Sequence, residues 1–384
     1  MKKSIVAGAL IALSMQGAHA VDIKAGDWTV SVGGIVNAYY TTVSCSGDAI
    51  GGLALGGQAL GCGGEGDRTT IGNGLLPNGL ITSATTNSGG YDVKALIAIY
   101  NSTATDSAIG QNSVVDVRQA YFTFGNASLG TFKLGRDYGI FGANAILSDM
   151  TLMGAGAPVQ ATQRGRVTLG HIGAGYSWLG NYGQISYSLP KSPAGLGFDV
   201  GLMSPVSDTP IVAGPRFSTK STPQLQAQVS LTSDNFKAWL GAKTQRFESA
   251  TAGVGDLTMT GIEAGASYTM GNIGLLGNIQ GGKALGILSD ADQGDTKSKN
   301  YFVQGTYKTS DKLKLGINYG ISKNDDDTVG AAGLKSNANL TVGAYYTLNS
   351  LITLVGEVGQ TRSKAFNGQT ARMNGASLGG IIFF

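Results

Sequence analysis

The chain has 384 residues; 13% are charged, about half the usual share for a soluble protein, and 61 are glycine, about twice it. Lys and Arg number 27 against 24 Asp and Glu, a net charge of +3, and without Lys2 and Lys3 the balance is 25 against 24, or +1, which excludes an electrostatic case for nucleic acid. Hydrophobic residues make up 42%, yet beyond the first twenty residues no apolar run is long enough to span a bilayer as a helix.

From the N-terminus, Met1-Lys2-Lys3 is followed by an apolar stretch (5–15) and by Ala18-His19-Ala20. A basic start, a short apolar core and a small-x-small end read as a secretory signal peptide. Cleavage is expected after Ala20, leaving one domain over 21–384. Cys45 and Cys62 stand in a Gly-rich stretch. In an oxidising compartment they are expected to form one disulfide closing a surface loop, with two free thiols as the alternative. No His lies near enough to make them a metal site, and no cofactor is expected.

Helix signals are nearly absent. Stretches of about ten residues alternate apolar and polar with period two instead. In 312–322, Leu313, Leu315, Ile317, Tyr319 and Ile321 share one face, and Lys312, Lys314, Gly316, Asn318, Gly320 and Ser322 the other. The segment 339–348 repeats this, as does 260–270, where Ile262, Ala264, Ala266, Tyr268 and Met270 oppose Glu263, Gly265 and Ser267. Successive side chains of a strand point to opposite faces, so one face is greasy and the other wet. Many apolar positions are Ala or Gly, which would underfill a soluble core but suit a lipid-facing wall.

Short turns (270–272, 310–312, 348–350) alternate with longer polar loops (289–297, 324–335, 366–370). That layout, with about sixteen strands, predicts an all-β transmembrane antiparallel β-barrel. The strands are expected to start near Trp28, Gly74, Tyr91, Ser113, Leu129, Tyr182, Leu196, Gln224, Phe236, Met259, Ile273, Ser298, Leu313, Asn337, Leu351 and Arg372. The second contains Pro77; seven other prolines, among them Pro158, Pro190 and Pro205, fall in or beside connections, where a missing N–H does no harm. Tyr39, Tyr40, Tyr121, Tyr268, Tyr307 and Tyr346 are candidates for interface girdles. The chain ends in an apolar strand, with Leu378, Ile382 and Phe384 on one face, which closure onto the first strand would protect.

The stretch Arg118-Gln119-Ala120-Tyr121-Phe122-Thr123-Phe124-Gly125, with Leu134-Gly135-Arg136-Asp137-Tyr138-Gly139 after it, resembles the general porins of Gram-negative bacteria. Tyr187-Ser188-Leu189-Pro190 with Gly195-Leu196-Gly197-Phe198 is similar to the same family. The resemblance implies a sixteen-stranded outer-membrane barrel, a homotrimer, whose long third loop folds into the pore. It implies that Arg118 and Arg166 are wall cations at the constriction, joined there by Arg136 and Arg164, and that Asp149 is the opposing acid on the loop. It makes Phe384 a signal to the barrel-assembly machinery. Opposed charges across a narrow aqueous passage set up a transverse field that sorts ions by sign. The chain departs from the family where Met153 takes the place of a second loop acid, where the second strand lacks Arg, and where the third loop carries Ile146, Leu147, Met150 and Leu152. A weak charge preference is therefore expected.

The resulting expectation is a passive channel for small hydrophilic solutes and ions, in contact with outer-membrane lipid and lipopolysaccharide. A pore selective for organic acids, amides or sugars is the alternative; neither an aromatic ladder nor an Arg ladder stands out. Asp325-Asp326-Asp327 lacks the spacing of a calcium loop and reads as a solvated loop. The glycines of 170–175 lack the strand-and-helix context of a nucleotide turn. His171, the one histidine after cleavage, has no Ser or Asp partner in sequence that points to catalysis, so no enzyme is expected.

Overall fold

The computed structural model describes residues 20–103, 115–160, 167–190, 192–207, 216–219, 221–325 and 333–384. Nineteen strand segments follow in chain order: β1 Val21–Ala25, β2 Trp28–Gly47, β3 Asp67–Gly72, β4 Asn78–Ser88, β5 Tyr91–Asn101, β6 Asp116–Asn126, β7 Gly130–Tyr138, β8 Asn181–Ser188, β9 Leu196–Met203, β10 Phe217–Thr219, β11 Gln224–Thr232, β12 Phe236–Ser249, β13 Leu257–Met270, β14 Ile273–Lys283, β15 Lys297–Lys308, β16 Leu313–Asn324, β17 Leu334–Thr347, β18 Ile352–Ala365 and β19 Thr370–Phe383. Two short helices, α1 Gln58–Gly61 and α2 Ala143–Ser148, lie in connections.

Every neighbouring pair is antiparallel, and β19 pairs with β2 from Ala371↔Gly47 to Phe383↔Ile35, which closes the sheet. The nineteen segments make a sixteen-stranded barrel because three wall positions are each shared by two segments. β1 continues the line of β19 along β2, β3 and β4 lie end to end on the other side of β2, and β10 and β11 lie end to end along β12. The predicted starts at Trp28, Tyr91, Leu196, Gln224, Phe236, Ile273 and Leu313 are the observed ones. β1, β3 and β10 are the segments that sequence reading missed.

The wall is inverted relative to a soluble protein. Along β13, Ile262 is 62% exposed while its neighbour Glu263 is 1% exposed, and along β16 Leu315, Ile317 and Tyr319 face out while Asn318 is buried. Lipid accepts the apolar side, and the polar side turns inward. Of the six girdle candidates, Tyr40, Tyr268, Tyr307 and Tyr346 are exposed on the outer wall. Tyr39 is buried and Tyr121 packs with Leu96 and Tyr100 inside; Tyr39 and Tyr40 are sequence neighbours, so they must take opposite faces. A row of stacked rings, Phe122, Phe124, Phe132 and Tyr187, continues the aromatic band. Some wall glycines make room inside: a Cβ on Gly265 would lie 2.2 Å from the Trp239 ring.

Three long connections bury apolar residues among those described. In 48–66, Leu53 and Leu55 are fully buried, so this is no surface loop: Leu55 N–H donates to Asn337 Oδ1 (3.1 Å) and Gly56 N–H to Ser363 Oγ (2.8 Å). In 284–296, of which 289–297 was read from sequence as a polar loop, Leu285, Ile287, Asp290 and Asp292 are buried. In 139–180, Ile146, Leu152, Ile172, Tyr176 and Leu179 form an apolar cluster with the wall residues Trp239, Leu276 and Phe302. Apolar loop residues next to a wall that already turns its greasy face outward have only the interior in which to escape water.

Candidate functional site

The described residues of 139–180, namely 139–160 and 167–180, are held by the inward faces of β11, β13, β14, β15, β16 and β18. Gln226 Oε1 accepts from Ile140 N–H (2.7 Å) and Phe141 N–H (2.9 Å), Glu263 Oε1 from Gly142 N–H (2.9 Å), and Gln304 Oε1 from Met150 N–H (2.7 Å). Glu357 Oε2 takes the N–H groups of Ala155 (2.7 Å) and Gly156 (2.8 Å), while Tyr345 donates to its other oxygen (2.5 Å). Gly154 has to be glycine here: a Cβ would sit 2.4 Å from Glu357 Oε1. Farther along, Ser177 N–H donates to Gln280 Oε1 (2.9 Å) and Gly175 N–H to Ser322 Oγ (3.1 Å). Loop backbone that leaves water must find such partners, and the wall supplies them from side chains two residues apart.

Asp149 is 3% exposed and is tied down on the β16 side. Its carboxylate accepts from Thr151 N–H (2.8 Å), Tyr176 O–H (2.6 Å) and Asn318 Nδ2 (3.1 Å). Burial first, then the Asp149 charge, pushes the Tyr176 hydroxyl well above its usual range, so it donates as a neutral phenol. His171 is fully buried, with Nε2 2.9 Å from Asn318 Oδ1, Nδ1 3.1 Å from Ala174 O, and its ring against Phe302. These contacts make it part of the loop's packing.

Arg118 projects inward from β6, 4% exposed. Its Nε donates to Asp116 Oδ2 (2.8 Å), and its guanidinium carbon lies 5.9 Å from the Tyr100 ring centroid and 5.8 Å from that of Trp178. Its acidic partner is thus Asp116, two residues away, and Asp149 pairs elsewhere. Below it, Lys133 Nζ meets Asp137 Oδ2 (2.5 Å), and Gln119 Nε2 bonds the other oxygen of Asp137 (2.9 Å). Lys94, on the same inner face of β5 as Leu96, makes no ion pair among the described residues. Arg136 does not join this group: it is exposed on the outer side of β7 and donates to Val117 O (3.0 Å). The reason is local. The pairing of β5 with β6 shifts between Ala98 and Tyr100, so Arg118 and Gln119 both lie buried, while on β7 Asp137 is buried inside and its neighbour Arg136 is exposed. Arg164 and Arg166, and the segment 1–19, lie outside the described residues.

Cys45 and Cys62 form the expected disulfide, across 17 positions, but it pins α1 to β2 beneath a loop that turns inward and not at the surface. One further feature was not foreseen. The 284–296 loop is anchored by a buried pair, Lys243 Nζ to Asp290 Oδ1 (2.5 Å), with Tyr182 O–H and Gln224 Nε2 on the second oxygen. Beside it Asp292 accepts three backbone N–H groups, from Ile287, Leu288 and Ser289. Burial nonetheless pushes the Asp292 carboxyl up to about 6, the three N–H donors pulling it down and Asp290 adding to the rise. The sequence signal for these anchors was the run Gln224-x-Gln226-x-Gln228, amides on one face of a strand.

The model of the family described as Gram-negative porin matches residues 5–365. Among curated proteins none matches the chain at a significant level. Among solved structures, the outer-membrane channel DcaP of Acinetobacter baumannii superposes with a TM-score of 0.69 at 18% identity, covering 94% of this chain and 99% of that one. OmpF of Salmonella typhi, in complex with daunomycin, gives 0.61 at 15%, over 95% and 100%. In-vitro folded OmpT of Vibrio cholerae gives 0.58 at 15%, over 95% and 100%. At these identities the likeness is one of fold, and the family match carries the function: the chain belongs to the Gram-negative porins, β-barrel channels of the outer membrane for passive diffusion of small solutes.

Proposed function

We propose that this porin is a narrow diffusion pore in which 139–180 is the constriction, with 48–66 and 284–296 filling the rest of the opening. The observation that carries the reading is the set of inward Gln and Glu side chains on β11, β13, β14, β15 and β18 that accept backbone N–H groups of 139–180. Loop and wall are thereby one rigid body on the β11–β18 side, and passage is left to the β4–β8 side. There Lys94, Arg118 and Lys133 face inward, two of them paired with acids, whereas Glu263 and Glu357 are covered by the loop. The field at the open side favours anions weakly. Asp149 serves as a loop anchor, and Arg118 is the wall cation of the constriction.

Homotrimer formation is part of the proposal; a trimer form of the similarly folded OmpT supports it. So are export by a signal peptide over 1–20, engagement of the barrel-assembly machinery through Phe384, and contact with lipopolysaccharide. The test is single-channel recording in KCl, with reversal potentials in a salt gradient. Small, steady openings with a modest anion preference are expected. Wide openings of an unobstructed sixteen-stranded barrel, or cation preference, would refute it.

A further inference from the structure

Where the loop leaves the wall uncovered, the surface that a solute meets is greasy. A slit of about 50 Å³ separates the loop side chains Leu147, Leu152 and Trp178 from the wall residues Leu76, Pro77 and Arg118. By the usual measure it has room for a few waters only, so any solute that enters it touches its walls. Arg118 is the one charged side chain in the lining, and its guanidinium lies between the rings of Tyr100 and Trp178. Gln226, Gln280 and Gln304 on the covered side of the barrel accept loop backbone N–H groups, and Gln224 and Gln228 bond other side chains, so these amides do not serve a passing solute.

We propose that this slit selects small monoanions with a flat apolar body, aromatic carboxylates being the type case. The guanidinium has five donors in a fork; Asp116 occupies Nε and the Tyr138 hydroxyl is a second partner, and an incoming carboxylate takes donors that remain. The apolar body rests on Trp178 and Leu147, both half-buried at the edge of the cavity. A sugar would shed water from several hydroxyls and find few partners in return. A cation would meet Arg118 face on. The inference rests on 139–180 being the constriction, and goes beyond it by naming what that constriction favours.

The experiment is the permeability ratio of benzoate to acetate, from bi-ionic reversal potentials of the full-length protein in planar bilayers. A plain aqueous pore passes acetate faster, because it is the smaller ion. The slit predicts benzoate to be about tenfold more permeant, the discrimination typical of an apolar contact made by one solute and not the other. Leu147→Asn, which keeps the number of side-chain non-hydrogen atoms and makes the contact polar, is expected to bring the ratio below one, and Arg118→Gln to lower both anions relative to potassium. Should Arg118→Gln fail to fold, because the buried ion pair with Asp116 is lost, Leu147→Asn carries the test. A wild-type ratio below one in a channel that conducts KCl overturns the inference and leaves the narrow-pore reading intact; so does a ratio that survives Leu147→Asn. Wide, unobstructed KCl openings overturn both.

Discussion

Replacing Cys45 and Cys62 by serine tests whether the interior loops are seated independently of the barrel. The bond closes a loop of 17 residues. In the chain-entropy model a closure of that size is worth about 3 kcal/mol at 25 °C. The location of the bond decides where this appears. Cys45 is held in β2 by pairing with Met373 of β19 whether or not the bond exists, whereas Cys62 ends α1 and hangs on the loop. The loss therefore falls on the seat of 48–66, and the barrel's own melting moves little. On that seat about 3 kcal/mol corresponds to roughly a hundredfold rise in the unseated population. The reporters are the amides of Leu55 and Gly56, whose acceptors Asn337 and Ser363 lie on β17 and β18. Hydrogen exchange at these two amides should accelerate by about that factor in the double serine variant, with the strand amides unchanged. Unchanged protection of Leu55 and Gly56 would refute the reasoning; loss of protection throughout β2 and β19 would show instead that the bond holds the wall.

Glu357→Ala leaves the Ala155 and Gly156 amides without an acceptor, a cost of about 2–6 kcal/mol on the loop's seat at about 1–3 each; single-channel records should turn noisy and reach larger openings. Ile262→Lys places a cation on the lipid side next to inward Glu263, and folding into vesicles should weaken by about 2–4 kcal/mol in urea titrations, an effect that a soluble-type core would not localise to this outward face. The Asp292 carboxyl, raised to about 6 from 3.8, binds its proton more readily when folded than when unfolded. The seat of 284–296 is accordingly tighter below about pH 4 and loosens as the pH rises through about 6, by less than about 3 kcal/mol. Exchange of the Ile287 and Ser289 amides should follow that pH window after correction for intrinsic rates, and Asp292→Asn should flatten it.

The wall was legible because its rule is local. Period-two alternation depends on neighbours in sequence, so β16 could be read from 312–322 alone, and the observed ends lie within a few residues of the expected ones. The misses have local causes as well. β1 is five residues long and exposed throughout, β10 is three residues long, and β3 is separated from β4 by a stretch that contains Pro77. One extra residue in β6 was enough to undo the expected grouping of Arg118 with Arg136, since a shift of one position turns a side chain to the other face.

The interior was not legible in the same way, because its contacts join residues 85 or more positions apart: Phe141 to Gln226, Ala155 to Glu357, Leu55 to Asn337. Yet the composition of the loops carries the reason for the folding, even where it does not carry the partners. A barrel that gives its apolar face to lipid has a wet inner face, and loops rich in Leu, Ile and Met can leave water only by packing against one another inside it. For that to happen the wall must accept loop backbone. Glutamine is suited to this, with an oxygen that accepts and a nitrogen that donates on a side chain long enough to reach off the sheet. Gln224, Gln226, Gln228 and Gln245 are buried with other amides, loop backbone or loop side chains as partners. An inward strand face written in amides, opposite loops written in aliphatics, is thus a statement about the passage itself: what keeps it narrow is hydrogen bonding, and what a solute touches in it is hydrocarbon.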